Sequence, residues 1–271
     1  MAEQPVGTQP VGAQPVGTQP VGTQPVGTRP VGTRIGAGQP GPPQPSPARA
    51  ARLSRLARAR LYLCTERREN FGEFAGLVVT AGVDIVQLRH KGLEWRPERA
   101  LLDELAAGVA PAGGLSAAND RADLVSASGV DVLHLGQDDI PPALARRFVG
   151  ADVLLGLSTH DPAQLRAAIA DPDVDYFCVG PVWPTPTKPG RPGVGLGLLR
   201  AAAALAPPFA DGAKPWFVTG GVSPEALDDV QATGARRIVV VRAITGAANP
   251  AAVAAALARR LAGQGPQVAG S

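Results

Sequence analysis

The sequence predicts an α/β fold: a (β/α)8 barrel, or TIM barrel, preceded by a disordered N-terminal tail. Eight short apolar runs recur between residues 61 and 241, and each is followed by a segment that can be helical. Such strict alternation of strand and helix signals reads as βα units around a parallel sheet. The 271 residues are enough for one barrel with length to spare. An open doubly wound sheet would place a glycine loop after its first strand, and the chain has "ERREN" there instead.

Taken in order, "LYLCT" (61–65) leads into "FGEFAGLVVTAG" (71–82), which closes on Gly82. "DIVQLR" (84–89) leads into "PERALLDELAAGV" (97–109), and "LSAAN" (115–119) into "RADLVSASG" (121–129). Asp120 stands where a helix start wants a capping side chain. "DVLHLG" (131–136) precedes "PALARRFVG" (142–150), which ends on Gly150, and "VLLGLS" (153–158) precedes "PAQLRAAIA" (162–170) behind Asp161. "YFCVG" (176–180) is followed by a proline-dense loop and then "GLGLLRAAAALA" (195–206). "WFVT" (216–219) precedes "PEALDDVQATG" (224–234) behind Ser223, and "RIVVV" (237–241) precedes "PAAVAAALARRLAG" (250–263) behind Asn249. Pro at the first helical position and Gly just past the last fit helix ends.

Ahead of the barrel, residues 4–33 are six copies of a pentapeptide, "QPVGT" with small variations. One valine in five cannot offset the entropy of ordering the chain, and proline and glycine at this density oppose helix and sheet. Residues 1–50 are therefore expected to be a disordered tail, 51–265 the barrel domain, and 266–271 a disordered C-terminus. "ARLSRLARAR" (51–60) reads as a short basic helix leading into the domain.

Charge divides along the same line. Residues 1–60 hold seven arginines against Glu3, so the net +3 of the whole chain leaves the remainder at −3. A mildly acidic body argues against a nucleic-acid partner. No apolar run approaches a membrane span, and the N-terminus has no secretory pattern. The two cysteines, Cys64 and Cys178, show no zinc or disulfide spacing and read as buried small hydrophobes. These features predict a cytoplasmic protein with small-molecule substrates, no membrane partner and room for a homo-oligomer.

Function in such barrels gathers at the C-terminal ends of the strands, and the unusual polar residues lie there. Gln87, Arg89 and Lys91 are spaced by two, which puts them on one face of an extended chain. Two cations and an amide suit an anion such as pyrophosphate; an exposed polar strand end is the plain alternative. Asn119 and Asp120 end the third strand, and Asp138 and Asp139 follow the fourth. Neighbouring strands bring Asp120 near one of that pair, and two carboxylates with room for water suit Mg2+. Ser158 ends the fifth strand. Gly220 and Gly221 follow the seventh, at the habitual phosphate position of this fold, with ordinary turn chemistry as the alternative. Pro181, Pro184, Pro186, Pro189 and Pro192 stiffen a loop carrying Thr185, Thr187 and Lys188. No nucleophile elbow, triad or His/Cys metal cluster is visible. His134 reads as structural, and His90 and His160 lie near the site without an evident acidic partner.

The motifs "QLRHK", "NDRADL", "HLGQDDIP", "GLSTH", "GPVWPTPTKPG", "TGGV" and "VVRAI", in this order, resemble the thiamine-phosphate synthase family across residues 53–262. The resemblance implies a (β/α)8 barrel that joins 4-amino-5-hydroxymethyl-2-methylpyrimidine diphosphate to a thiazole phosphate, releasing pyrophosphate, with Mg2+ as cofactor. It implies that Gln87, Arg89, Lys91, Asn119, Ser158 and Lys188 hold the pyrimidine diphosphate, with Arg89, Lys91 and Lys188 acting on the leaving group. Asp120 and Asp139 would hold Mg2+. Thr185, Pro186, Thr187, Gly221, Val241 and Arg242 would hold the thiazole phosphate. The chain departs from the family pattern at His90, where an acid is common, and at Thr219, where an aliphatic residue is common. A thiazole tautomerase-like isomerase and a non-catalytic thiamine phosphate-binding protein are the alternatives. The retained cations and carboxylates speak against both.

Overall fold

A computed structural model describes residues 45–263 apart from 186–189 and 191. Most of the expected tail, the expected C-terminal disorder and the assignments of Pro186, Thr187 and Lys188 lie outside the described residues.

Eight parallel strands close into a barrel in sequence order: β1 (Leu61–Thr65), β2 (Ile85–Leu88), β3 (Leu115–Asn119), β4 (Val132–Leu135), β5 (Leu154–Thr159), β6 (Tyr176–Val179), β7 (Trp216–Val218) and β8 (Ile238–Val240). The ring shuts where Leu61, Tyr62 and Leu63 pair with Ile238, Val239 and Val240. Around it lie α2 (Phe71–Thr80), α3 (Trp95–Val109), α4 (Ala122–Ala127), α5 (Pro142–Val149), α6 (Pro162–Ala170), α7 (Gly195–Leu205), α8 (Leu227–Ala232) and α10 (Pro250–Ala262), with a short α9 (Arg242–Thr245) between β8 and α10. The α1 helix (Pro47–Arg58) precedes the barrel.

Every strand was expected where it stands. Several helix starts moved. The tail was expected through residue 50, but α1 begins at Pro47 because Ser46 caps it, its Oγ accepting from Arg49 N at 3.1 Å. Asp161 and Asn249 cap α6 and α10 as expected. Asp120 does not cap α4: the residue in that position is Arg121, with no side-chain cap bond. The expected start at Ser223 is a turn, with Ser223 Oγ accepting from Ala226 N at 3.4 Å, and α8 begins three residues after Pro224.

The strands separate two cores. Residues such as Leu63, Val86, Leu133, Phe177 and Val218 point outward under the helices. Tyr62, Ile85, Leu115, Val132, Leu154, Tyr176 and Phe217 fill the barrel interior with Leu56 and Ala59 at its floor. Gly156 admits one of these rings: a Cβ there would lie 2.1 Å from Tyr176 Cζ. Followed toward the C-terminal ends, the inward positions turn polar, passing through Cys64, Gln87, His134 and Ser158.

At the opposite end a repeated device fastens neighbouring strands. Asp84, just before β2, accepts from Arg60 N and Leu61 N at the start of β1. Asp131, before β4, accepts from Ser116 N on β3, and Asp175, before β6, accepts from Leu155 N on β5. Before β8 the position is Arg237, which donates to the carbonyls of Ala59 and Ala57. Arginines of α1 reach the same carboxylates: Arg49 pairs with Asp175 at 2.6 Å and Arg52 with Asp131 at 2.7 Å. The basic helix is thus the counter-charge of the barrel floor.

Candidate active site

The strand C-terminal ends surround a cavity of about 1320 Å³. Gln87, Arg89, Lys91, Asn119, Asp120, Asp139, Ser158, Val241 and Arg242 all line it. Gly221 and Thr185 are not among its lining residues. A smaller space of about 230 Å³ adjoins it at His90, Lys91, Glu98 and Asp120.

Asp120 has the most constrained backbone of the set. Its φ is +62°, a left-handed value that a residue with a Cβ seldom adopts. The backbone holds it there: Asp120 N donates to the His134 carbonyl of β4 at 2.9 Å, and Arg121 N donates to the Asn119 carbonyl at 2.7 Å. Strain held by surrounding bonds is a mark of a working residue. Its carboxyl sits against that of Asp139, and burial together with this neighbour raises its pKa to about 7, which Lys91 and Arg89 only partly offset. Asp139 is fixed in turn by a tight turn, its Oδ2 accepting from Gly136 N at 2.6 Å. Of the two aspartates left open by spacing, Asp139 is therefore the one that meets Asp120.

Two carboxylates that crowd each other beside two cations form a place for a divalent ion. Hard oxygen donors suit Mg2+, which keeps several waters and needs few protein ligands. Among the described residues no group of three or more acids, histidines and cysteines forms a fuller cage. Arg89 and Lys91 have no ion pair or hydrogen bond from their side chains among the described residues. Unspent donors at the rim of a cavity are ready for an anionic ligand.

The described base of the proline-rich loop is fastened at both ends. Val182 N donates to the Thr219 carbonyl at 2.9 Å, and Trp183 N to the Gly220 carbonyl at 3.3 Å. The returning chain closes it just before α7, with Val194 N on the Pro181 carbonyl at 2.8 Å. Gly220, at φ +89°, permits this approach: a Cβ would lie 2.3 Å from Pro181 Cα. The loops after β6 and β7 are thereby one joined edge of the mouth.

Other lining residues escaped the sequence reading. Glu66, Arg67, Arg68 and Glu69 of the β1 loop line the cavity. Their signal, a charged run directly after a strand, was present in "ERREN". The buried cysteines are as expected, in no disulfide, but both also line the cavity floor. His90 lines the mouth, and its buried Nδ1 has no hydrogen-bond partner among the described residues. His160 Nδ1 bonds the Gly180 carbonyl.

The family model described as thiamine monophosphate synthase matches residues 61–244. The thiamine-phosphate synthase of Acidothermus cellulolyticus is 55% identical over 210 residues, covering 76% of this chain and 97% of that protein. The thiamine-phosphate synthase of Mycobacterium leprae is 54% identical over 216 residues, covering 74% and 90%. Among solved structures, a thiamine phosphate pyrophosphorylase from Pyrococcus furiosus matches with a TM-score of 0.66 at 22% identity, covering 78% of this chain and 98% of that one. That last likeness is one of fold. Among the described residues no helix is long and apolar enough to cross a membrane.

Proposed function

The chain belongs to the thiamine monophosphate synthase family, and on that premise we propose how the barrel mouth divides the work. The enzyme condenses 4-amino-5-hydroxymethyl-2-methylpyrimidine diphosphate with a thiazole phosphate to give thiamine phosphate and pyrophosphate. The observation that carries the assignment of its site is the meeting of Asp120 and Asp139 beside the unspent cations Arg89 and Lys91 on one cavity wall.

Gln87, Arg89, Lys91, Asn119, Ser158 and Lys188 hold the pyrimidine diphosphate. Thr185, Pro186, Thr187, Gly221, Val241 and Arg242 hold the thiazole phosphate. Asp120 and Asp139 would hold Mg2+, whose charge, when bound, offsets that of the departing pyrophosphate. The C–O bond breaks with its electron pair leaving on pyrophosphate. The electron-rich aminopyrimidine bears the positive charge at its exocyclic carbon, and the thiazole nitrogen closes the new C–N bond with its own lone pair. No protein nucleophile is required. The chain's contribution is to neutralise charge and align the two substrates. The buried, unbridged cysteines support a reducing cytoplasmic setting.

The test is direct incubation of both substrates with Mg2+. Thiamine phosphate and pyrophosphate are expected in equal amounts, and EDTA is expected to stop both. Interconversion of thiazole tautomers without consumption of the diphosphate, or binding of thiamine phosphate without turnover, would overturn the assignment.

A further inference from the structure

At the floor of the cavity, six side chains from five strands form one hydrogen-bonded chain, and all of them but Tyr176 line the cavity. The Cys64 thiol donates to Gln87 Oε1 at 3.1 Å, and Gln87 Nε2 donates to Tyr62 Oη at 2.8 Å. Tyr62 Oη lies 3.2 Å from Tyr176 Oη. Tyr176 Oη lies 3.0 Å from His134 Nδ1, and His134 Nε2 lies 3.0 Å from Ser158 Oγ. None of the six is more than 8% exposed. Burial keeps both phenols protonated, since it pushes each pKa well above its ordinary value.

Counting hydrogens gives this chain a direction. Tyr62 Oη already accepts from Gln87, so its own hydrogen goes to Tyr176 Oη. Tyr176 has one hydrogen left to give, and His134 Nδ1 must accept it. His134 then carries its proton on Nε2 and donates to Ser158 Oγ. With its oxygen occupied in this way, Ser158 has its hydroxyl hydrogen free to turn outward. Ser158 is itself a cavity-lining residue. A chain of aligned bonds of this kind strengthens each member and resists reversal of any one.

We infer that Tyr62, Tyr176 and His134 are positioning residues that tie the Gln87 amide to the Ser158 hydroxyl and set Ser158 as a hydrogen-bond donor toward the pyrimidine diphosphate. This rests on the reading above that Gln87 and Ser158 hold that substrate. Tyr176, which does not line the cavity, acts only through Gln87 and Ser158, whereas Tyr62 and His134 also border the cavity; none of the three was assigned to substrate above.

Two measurements test it. Nitrogen-15 NMR of the full chain reports the His134 tautomer once its resonances are assigned by substitution. A protonated Nε2 and a bare Nδ1 are expected; the opposite pattern would overturn the direction of the chain. In steady-state kinetics, Tyr176→Phe keeps the ring and removes the linking oxygen. It is expected to raise KM for the pyrimidine diphosphate about tenfold, the scale of one hydrogen bond, with KM for the thiazole phosphate within about twofold. Equal change in both constants, or in neither, would overturn the inference. Gln87→Ala and Ser158→Ala separate the two readings. If they leave KM for the diphosphate unchanged, the assignment of substrate residues fails; if they raise it while Tyr176→Phe does not, only the positioning role fails. Should Tyr176→Phe not fold, Tyr62→Phe cuts the same chain one link earlier, with the same expected and overturning results.

Discussion

The two ends of the barrel use the same residue types to opposite effect. At the floor, arginine and aspartate are matched. Asp175 accepts from Arg49, Arg146 and Leu155 N, and its side chain is only 6% exposed. At the mouth, Asp120 faces another carboxylate, and the side chains of Arg89 and Lys91 have no bond within the described protein. Matched charges contribute to folding and offer nothing to a ligand. Unmatched ones cost stability, and they convert that cost into affinity when an anion and a divalent ion arrive. One barrel thereby separates holding itself together from holding substrate, by about the length of a strand.

The contrast can be broken most forcefully at Asp120. Asp120→Ala is expected to lower kcat by about 10³-fold under saturating substrates and Mg2+, while its metal-free melting temperature does not fall. An unchanged rate would remove this aspartate from the metal site. Next comes the floor: Asp175→Asn leaves two arginines short of a partner and should cost about 2–4 kcal/mol in urea unfolding, with kcat unchanged. Loss of activity without loss of stability there would erase the division between the ends.

A pH series sharpens the same contrast. The folded-state pKa of Asp120 is raised from 3.8 to about 7, so the metal-free folded chain keeps a proton that the unfolded chain has released. Its contribution to stability is therefore present at low pH and lost as pH rises through about 7. Mg2+ must displace that proton, so its apparent affinity should weaken by up to about tenfold per unit below pH 7. Thermal melts with and without Mg2+ on either side of neutrality measure both; a Mg2+ effect independent of pH would contradict the paired carboxylates. The smallest effect belongs to the tail. Deleting residues 1–44 spares α1 and its pairs with Asp131 and Asp175, so kinetics and melting temperature should stay as they are. A fall in kcat would give the repeat a part in the site.

Much of this was legible in the sequence because strand side chains repeat every two residues. That period placed Gln87, Arg89 and Lys91 on one face, and strand order alone brought Asp120 toward the "QDD" turn. The choice of Asp139 over Asp138 was not legible from spacing and came only with the family resemblance, since physically it depends on a bond to Gly136 N across the turn. Nor was the fate of Asp120: a capping residue and a left-handed junction residue share the same local sequence. The basic run at 51–60 was visible, with Arg49 left in the expected tail, but the partners of Arg49 and Arg52 lie 79 to 126 positions away. Nothing in the sequence sets Tyr62 and Tyr176 apart, because a buried hydroxyl declares itself only through the atom it meets. The same holds for Cys64 beside Gln87.

The aspartates ahead of β2, β4 and β6 also say something about connectivity. Each clasps an even strand to the odd strand before it, so the ring is assembled from successive β-α-β-α quarters, and the fourth is closed at Arg237 onto the link that enters β1. A chain re-threaded to begin between Gly113 and Gly114, with its old ends joined, would sever no clasp. One opened between β1 and β2 would leave the Asp84 clasp to form without its intervening segment. The order in which this polypeptide runs is therefore more freely negotiable at some seams of the circle than at others, although all eight strands stand at equivalent places in it.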